Sequence, residues 1–227
     1  MTATARELRL AISPRSGEVS AVLLRPAECR GLLVLGHGAG AGMRHHLLES
    51  LAVALADQGM ATLRYQFPYL ERGRKLPDAA AVLQATVRAA VNAAGLLADG
   101  VPILAGGKSM GGRMTSLAAA ERPLNGVHGL VFYGFPLHPM ATPGVERAEH
   151  LGRVGLPMLF LQGTRDRLAD LDLLRPVIAG IGPGATLEVL EQADHDFALP
   201  RRWAMEEESV AHWLAERTTR WATALSH

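Results

Sequence analysis

The segment 106–113, GGKSMGGR, is compatible with two different chemistries. Its GKS triplet matches the end of a phosphate-binding P-loop, in which the serine hydroxyl binds magnesium. Its GKSMG stretch matches G-x-S-x-G, in which the serine attacks a carbonyl from a tight turn. The P-loop motif needs a glycine five positions before Gly107, and Pro102 occupies that position. The pattern therefore favours Ser109 as a nucleophile over a phosphate site.

The residues around Ser109 suit a sharp turn between a strand and a helix. Such a turn needs small residues two positions before and after the serine, because larger side chains would clash there. Gly107 and Gly111 occupy those positions, and Gly112 would allow the helix to approach the sheet. The apolar run 101–105 predicts a strand directly before the segment, and a helical pattern follows it.

A nucleophilic serine needs a base, and the base needs a carboxylate to orient it. Asp166 follows the apolar strand PMLFLQ, and His195 follows the strand TLEVLE. Ser109, Asp166 and His195 thus occur in the order serine, acid, histidine, each at the carboxyl end of a predicted strand. These three residues are the predicted catalytic residues.

Other carboxylates near these positions have different expected roles. The fallback acids Asp170 and Asp172 fall in the helix expected after Asp166. Asp194 and Asp196 flank the histidine and are expected to cap its loop rather than orient its ring. Asp166 itself could instead be a helix cap, which is a common role for aspartate.

The oxyanion of a tetrahedral intermediate needs two N–H donors. The Met110 N–H, directly after the serine, is the first predicted donor. The second is expected in the loop GHGAG after the run GLLVL, with Ala39 N–H preferred and Gly40 N–H next. His37 in this loop is expected to fix the loop by hydrogen bonding rather than to act as a base.

The same loop has a second interpretation. Gly36-x-Gly38-x-x-Ala41 fits a loose dinucleotide-binding fingerprint, and Arg64 on the next strand could meet the 2′-phosphate of NADP. This alternative leaves the serine, aspartate and histidine placements unexplained.

Substrate contacts are predicted on the loops after the early strands and near the serine. The residues are His37, Gly38, Gly40, Phe67, Tyr69, Lys108 and Phe135. Five loop cations are interpreted as solvated charges, in preference to recognition of an anionic substrate. They are Arg72, Arg74, Lys75, Arg165 and Arg167.

Hydrophobic periodicity predicts one α/β domain over residues 1–227. A hairpin (Leu8 to Ile12 and Val19 to Leu24) precedes alternating strands and helices, which predicts a mostly parallel sheet with helices on both faces. Further strands are predicted at 31–35, 60–65, 101–105, 129–133, 157–161 and 186–190. Helices are predicted at 44–57, 78–98 (with a Pro77 start), 110–121, 168–178 and 203–225. The longest irregular stretches are 66–76 and 134–146, and the second is too short for a large cap domain.

Composition narrows the functional classes. With 23 Lys+Arg against 22 Asp+Glu, the near-neutral chain is not expected to bind nucleic acid or a membrane surface. The single Cys29 fits a reducing compartment, and charges in residues 1–7 precede any apolar stretch, so a cytoplasmic protein is expected. No metal or organic cofactor is expected, and a homodimer remains an open alternative.

The chain resembles small serine hydrolases of the dienelactone-hydrolase-like group, over nearly its whole length from VLGHGAG to ADHDF. The segments RYQFPYLERGRKLPD, GGKSMGGRM and YGFPLHP with LFLQGTRD resemble a branch that includes testis-expressed hydrolase-like proteins and a subunit of a chromatin acetyltransferase complex. The resemblance implies an α/β-hydrolase fold and an esterase-like activity on a small ester or thioester, with Ser109 as nucleophile, Asp166 as acid and His195 as base. Dienelactone hydrolases proper have cysteine where this chain has Ser109. The chromatin-complex relative adds a non-catalytic interaction module as the alternative function.

Overall fold

The computed structural model describes residues 3–13, 16–203 and 207–225. Eight strands form one sheet in the order β1-β2-β4-β3-β5-β6-β7-β8. The strands are β1 Ala3–Ser13, β2 Gly17–Pro26, β3 Gly31–Gly36, β4 Met60–Tyr65, β5 Ile103–Lys108, β6 Val127–Tyr133, β7 Met158–Gly163 and β8 Ala185–Leu190. The helices are α1 His46–Asp57, α2 Pro68–Glu71, α3 Ala80–Leu97, α4 Met110–Glu121, α5 Leu171–Ile181 and α6 Glu207–Ala224.

The pairing directions confirm the predicted fold class. β1 pairs antiparallel with β2, and β2 pairs antiparallel with β4. The pairs from β4 through β3 to β8 are all parallel. Because parallel strands point the same way, the loops that follow β3 to β8 open at one edge of the sheet.

The sheet separates two apolar cores. Side chains alternate along β3, so Leu32 and Val34 pack on one face and Leu33 and Leu35 on the other. Helices α3, α4 and α5 cover the first face, and α1 and α6 cover the second. Burial on both faces explains why the central strands are continuous apolar runs.

Helix α3 lies on the first face of the sheet. Its buried residues recur at helical spacing: Leu83, Thr86, Val87, Ala90, Val91 and Ala94. By length and mean hydropathy, 1.3 over 18 residues, α3 could also cross a membrane. Helices in protein cores are often as long and as apolar, and the buried stripe of α3 matches a helix packed on a sheet.

Several element bounds differ from those predicted. β5 continues to Lys108, three residues beyond the predicted end, so Ser109 follows the strand directly. Helix α3 begins at Ala80 rather than at Pro77. The predicted helix from Trp203 begins at Glu207 instead, since Trp203 ends a short 3-10 helix; residues 204–206 lie outside the described part.

Short helices lie within or directly after the stretches predicted as irregular. α2 lies within 66–76, and Pro68 suits its first turn because proline fixes the helical φ and needs no N–H partner there. Two 3-10 helices, Glu146–Ala148 and Leu151–Arg153, follow the second stretch. Within the described residues no cap domain covers the strand ends.

Candidate active site

Ser109 occupies the sharp turn between β5 and α4. Its backbone has φ 49° and ψ −114°, a conformation that costs a non-glycine residue on the order of 1–3 kcal/mol. Hydrogen bonds hold it there: Ser109 N–H donates to Tyr133 O (3.1 Å) and Arg113 N–H to Ser109 O (3.0 Å). The strain projects the hydroxyl beyond the strand end, where it is partly exposed.

Glycines allow this turn to pack against β3. A Cβ on Gly107 would lie 2.3 Å from Gly36 O, and one on Gly111 would lie 2.4 Å from the Gly36 carbonyl. Both obstacles are backbone atoms, so no rotamer change could relieve the contact. The turn therefore requires glycine at these two positions, as the motif predicted.

His195 lies in the loop after β8 and contacts Ser109. Its Nε2 is 2.8 Å from Ser109 Oγ, and its side chain is 19% exposed. Asp194 Oδ1 accepts hydrogen bonds from Asp196 N–H and Ala198 N–H, both 2.9 Å. Asp194 thus caps the loop, which was the role expected for it.

Asp166 lies in the loop after β7 and contacts the other side of the imidazole. Its Oδ2 is 2.7 Å from His195 Nδ1, and its side chain is fully buried. Its Oδ1 accepts a hydrogen bond from Leu168 N–H at 2.8 Å. The alternative acid Asp170 instead caps α5 by accepting from Asp172 N–H.

Gln162, the penultimate residue of β7, completes the surroundings of Asp166. Its Nε2 donates to Asp166 Oδ2, and its Oε1 accepts from Phe135 N–H at 3.0 Å. This amide links the acid to the loop after β6. Sequence reasoning assigned Gln162 no role, although a lone polar residue at the end of a buried strand was a usable signal.

The loop after β3 lies beside Ser109. A Cβ on Gly38 would be 3.8 Å from Ser109 Cβ, so the loop backbone passes close to the nucleophile. Among the residues that the structure describes, the N–H groups of Met110 and Ala39 have no acceptor. Gly40 N–H, the next choice as oxyanion donor, already donates to Tyr69 Oη at 3.3 Å.

His37 holds this loop in place. Phe67 N–H donates to His37 Nε2 (3.0 Å), so the ring proton is on Nδ1, which donates to Gly38 O (2.8 Å). Burial lowers the pKa of His37 to about 4, against the smaller raising effect of the Gly38 hydrogen bond. The neutral ring serves the loop, as expected, and it offers no free nitrogen to a substrate.

Three other residues predicted to contact substrate are buried. Phe67 packs edge-on against Tyr65, and Phe135 packs against Phe132. Tyr69 is buried, and its hydroxyl is engaged by Gly40 N–H. In this structure these rings support the loops behind the site and do not form its surface.

Lys108 has a partner that the sequence did not indicate. Its side chain is 8% exposed, and its Nζ is 3.3 Å from Asp196 Oδ1. Burial lowers the pKa of Lys108, and the nearby carboxylates of Asp196, Asp166 and Asp194 oppose that effect.

A groove of about 540 Å³ passes Asp166, between residues 138–143 and residues 164–172. Arg165 and Arg167 line it together with carboxylates of the same loop. The cations of the 66–76 loop have other contacts: Arg72 donates to Ser16 O and Arg74 to Asp78. Arg64, invoked for NADP, is 5% exposed and lies 3.4 Å from Glu49, which leaves little surface for a phosphate.

Comparison with known proteins places this chain in a family. A family model described as "Alpha/beta hydrolase domain" matches residues 29–223. The chain belongs to this alpha/beta hydrolase family. The predicted likeness to dienelactone-hydrolase-like hydrolases is thereby confirmed at the level of family and fold.

Solved structures of other hydrolases share the whole fold. A dienelactone hydrolase from Anabaena variabilis is 20% identical with a TM-score of 0.76, over 99% of each chain. A serine hydrolase without a lid from Xanthomonas campestris is 18% identical with a TM-score of 0.75, over 97% of this chain and 96% of that one. An esterase domain from Rhodothermus marinus is 16% identical with a TM-score of 0.71, over 96% and 98%. At these identities the likeness establishes the shared fold.

Proposed function

We propose that this alpha/beta hydrolase is a serine esterase that acts through an acyl-enzyme. His195 Nε2 removes the proton of Ser109 Oγ as the oxygen attacks the ester carbonyl carbon. The proton then passes to the leaving alcohol, or thiol if the substrate is a thioester. His195 next deprotonates a water molecule that attacks the acyl-enzyme and releases the acid.

The surrounding groups stabilise the charges that develop in this reaction. Asp166, buried and bonded to His195 Nδ1, holds the ring and stabilises the imidazolium. The N–H groups of Met110 and Ala39 are the donors for the oxyanion, and the start of α4 adds its positive dipole end. Leu168 N–H and Gln162 keep the carboxylate in place.

One observation carries this proposal. Ser109, His195 and Asp166 form a continuous hydrogen-bonded series with contacts of 2.8 and 2.7 Å, and it starts at a serine held in a strained backbone conformation. The strand ends are open within the described residues, which supports a small ester or thioester as the substrate class.

A fluorophosphonate probe tests the nucleophile. We expect stoichiometric labelling of the native protein, no labelling of Ser109→Ala, and full labelling of Ser116→Ala. Ser116 is a buried serine on α4, the helix that follows Ser109, and serves as the matched control. Peptide mapping should place the label on Ser109. No labelling of the native protein would instead favour the non-catalytic interaction module.

A panel of acyl esters and thioesters of graded chain length then tests the substrate class. We expect turnover of the short-chain members, because no cap domain covers the strand ends in the described part of the chain. Turnover confined to long-chain esters would contradict the proposed substrate size.

A further inference from the structure

An ion pair between Lys108 and Asp196 lies next to the contact between the proposed nucleophile and base. Lys108 directly precedes Ser109, and Asp196 directly follows His195. Ser109 Oγ and His195 Nε2 are 2.8 Å apart, and Lys108 Nζ and Asp196 Oδ1 are 3.3 Å apart. Two adjacent residues on β5 and its turn thus contact two adjacent residues of the loop after β8.

The buried position of Lys108 calls for a physical reason. Its side chain is 8% exposed, whereas that of Asp196 is 74% exposed. Transfer of an ammonium group out of water is unfavourable unless opposite charges surround it. An apolar side chain would fill the same space without that cost, so stability alone does not account for a lysine here.

Two hydrogen bonds tie the first part of the His195 loop to the β7 side, and Phe197 later in the loop is buried in the second core. Gln192 N–H donates to Thr164 Oγ1 at 2.7 Å, and Arg165 N–H donates to Ala193 O at 2.8 Å. Both contacts precede His195 in the chain. Within the described residues 196–203, the Asp196 carboxylate makes the polar side-chain contact that reaches β5. The loop also contains Phe197 at φ 62°, a strained conformation that has to be held by contacts.

We propose that Lys108 and Asp196 form a positioning pair that fixes His195 Nε2 against Ser109 Oγ. This inference rests on the proposed function, because it concerns the alignment of the same two side chains. The Ser109–His195 contact opens when Ser109 is acylated, and the ion pair then holds the histidine loop at β5 until water attacks. Lys108 therefore acts through His195 and need not touch the substrate.

Steady-state kinetics of Lys108→Met, Asp196→Asn and the double variant test the pair. Displacement of a catalytic group by about 1 Å can lower a rate by about 100-fold, so we expect kcat to fall about 10- to 100-fold in each single variant. KM should change less than about twofold, because substrate contacts remain. The double variant should be no slower than Lys108→Met, since both changes remove the same contact.

Two further variants separate positioning from a general loss of charge or stability. Lys108→Arg keeps the cation and should restore most of kcat. Asp57→Asn, which neutralises an exposed carboxylate at the end of α1, should match the native enzyme. Asp196→Asn should lower thermal stability only in part, because Lys108 loses this partner but keeps the nearby carboxylates of Asp166 and Asp194. Its kcat is compared with that of the native enzyme below the unfolding transition, so that variant tests the pair even if Lys108→Met does not fold.

The outcomes distinguish this inference from the proposed function. Native protein that neither reacts with a fluorophosphonate nor turns over esters overturns the proposed function, and the positioning role with it. Active native protein whose Asp196→Asn variant has an unchanged kcat overturns the positioning pair alone. The positioning pair is also overturned if Lys108→Met lowers kcat/KM only by raising KM, with kcat unchanged.

Discussion

Helix α4 is associated with two serine–histidine contacts, one at its start and one two turns later. Ser109 Oγ lies 2.8 Å from His195 Nε2, and Ser116 Oγ lies 2.7 Å from His150 Nε2. The two distances are nearly equal. The surroundings of the two pairs differ in every other respect that matters for nucleophilic catalysis.

The hydroxyl proton is directed differently in the two pairs. Ser116 lies inside the helix and its Oγ donates to Arg113 O at 2.9 Å, so it accepts a hydrogen bond from His150 Nε2–H. Because His150 Nε2 already carries a hydrogen, it cannot remove the hydroxyl proton of Ser116. Ser109 precedes the helix, and its hydroxyl has His195 as its hydrogen-bond partner.

The charges near the two imidazoles have opposite signs. Asp166 is bonded to His195 Nδ1 and stabilises an imidazolium. Burial lowers the pKa of His150 to about 4, and Arg113 and Arg153 add to that effect. His150 and Ser116 are also buried, with exposures of 5% and below. The Ser116 pair therefore ties the 146–153 segment to α4, and a short distance alone does not identify a nucleophile.

Removal of each histidine should give the largest contrast between the pairs. We expect His195→Gln to lower kcat/KM for a short-chain ester by about 10⁴- to 10⁶-fold, because glutamine cannot act as a base. His150→Gln should retain activity within about threefold. Comparable losses in the two variants would show that the buried pair also takes part in catalysis.

Replacement of the carboxylate tests whether charge near the ring is decisive. Asp166→Asn should lower kcat by about 10³- to 10⁴-fold with little change in KM, because the amide holds the ring without stabilising an imidazolium. In the variant the amide oxygen can still accept from Leu168 N–H, but the amide NH2 at the Oδ2 position meets the Gln162 Nε2 donor and donates to His195 Nδ1. The ring then carries its proton on Nε2 and cannot accept the Ser109 proton. Asp170→Asn is the matched control and should keep kcat. A change in kcat of less than about tenfold in Asp166→Asn would show that another residue orients His195.

The smallest expected effect concerns stability of the buried pair. An unfolded histidine has a pKa near 6.5, whereas that of folded His150 is about 4. The unfolded chain therefore binds the extra proton between these values, and the free energy of unfolding falls as pH drops from about 6.5 to about 4. Over this pH range the free energy of unfolding of His150→Gln should fall by about 1–3 kcal/mol less than that of the native protein.

Denaturant unfolding at pH 4.5 and 7 measures that difference. His37, whose pKa is also about 4, contributes the same dependence in both proteins and cancels in the comparison. If the free energy of unfolding falls equally in the native protein and in His150→Gln between pH 7 and 4.5, His150 takes up its proton as readily in the folded as in the unfolded chain.

Much of the fold was predictable because its pattern is local. Continuous apolar runs predicted the buried parallel strands, and the elements that follow them were predicted from helical spacing. The bounds were less accurate where tertiary contacts extend an element. β5 continues to Lys108 because pairing with β6 holds its last residues, although glycine and lysine are weak strand formers.

The sequence by itself determined which residue types follow each strand, and parallel strands bring their carboxyl ends to one edge. That rule alone predicted that Ser109, Asp166 and His195 would lie near one another. Only the tertiary structure decided which neighbours each side chain contacts: Gln162 on the acid, Asp196 on Lys108, and Arg113 O on Ser116. Those contacts depend on side-chain direction and burial, which no local pattern encodes, and the contact between Lys108 and Asp196 also joins residues far apart in the chain.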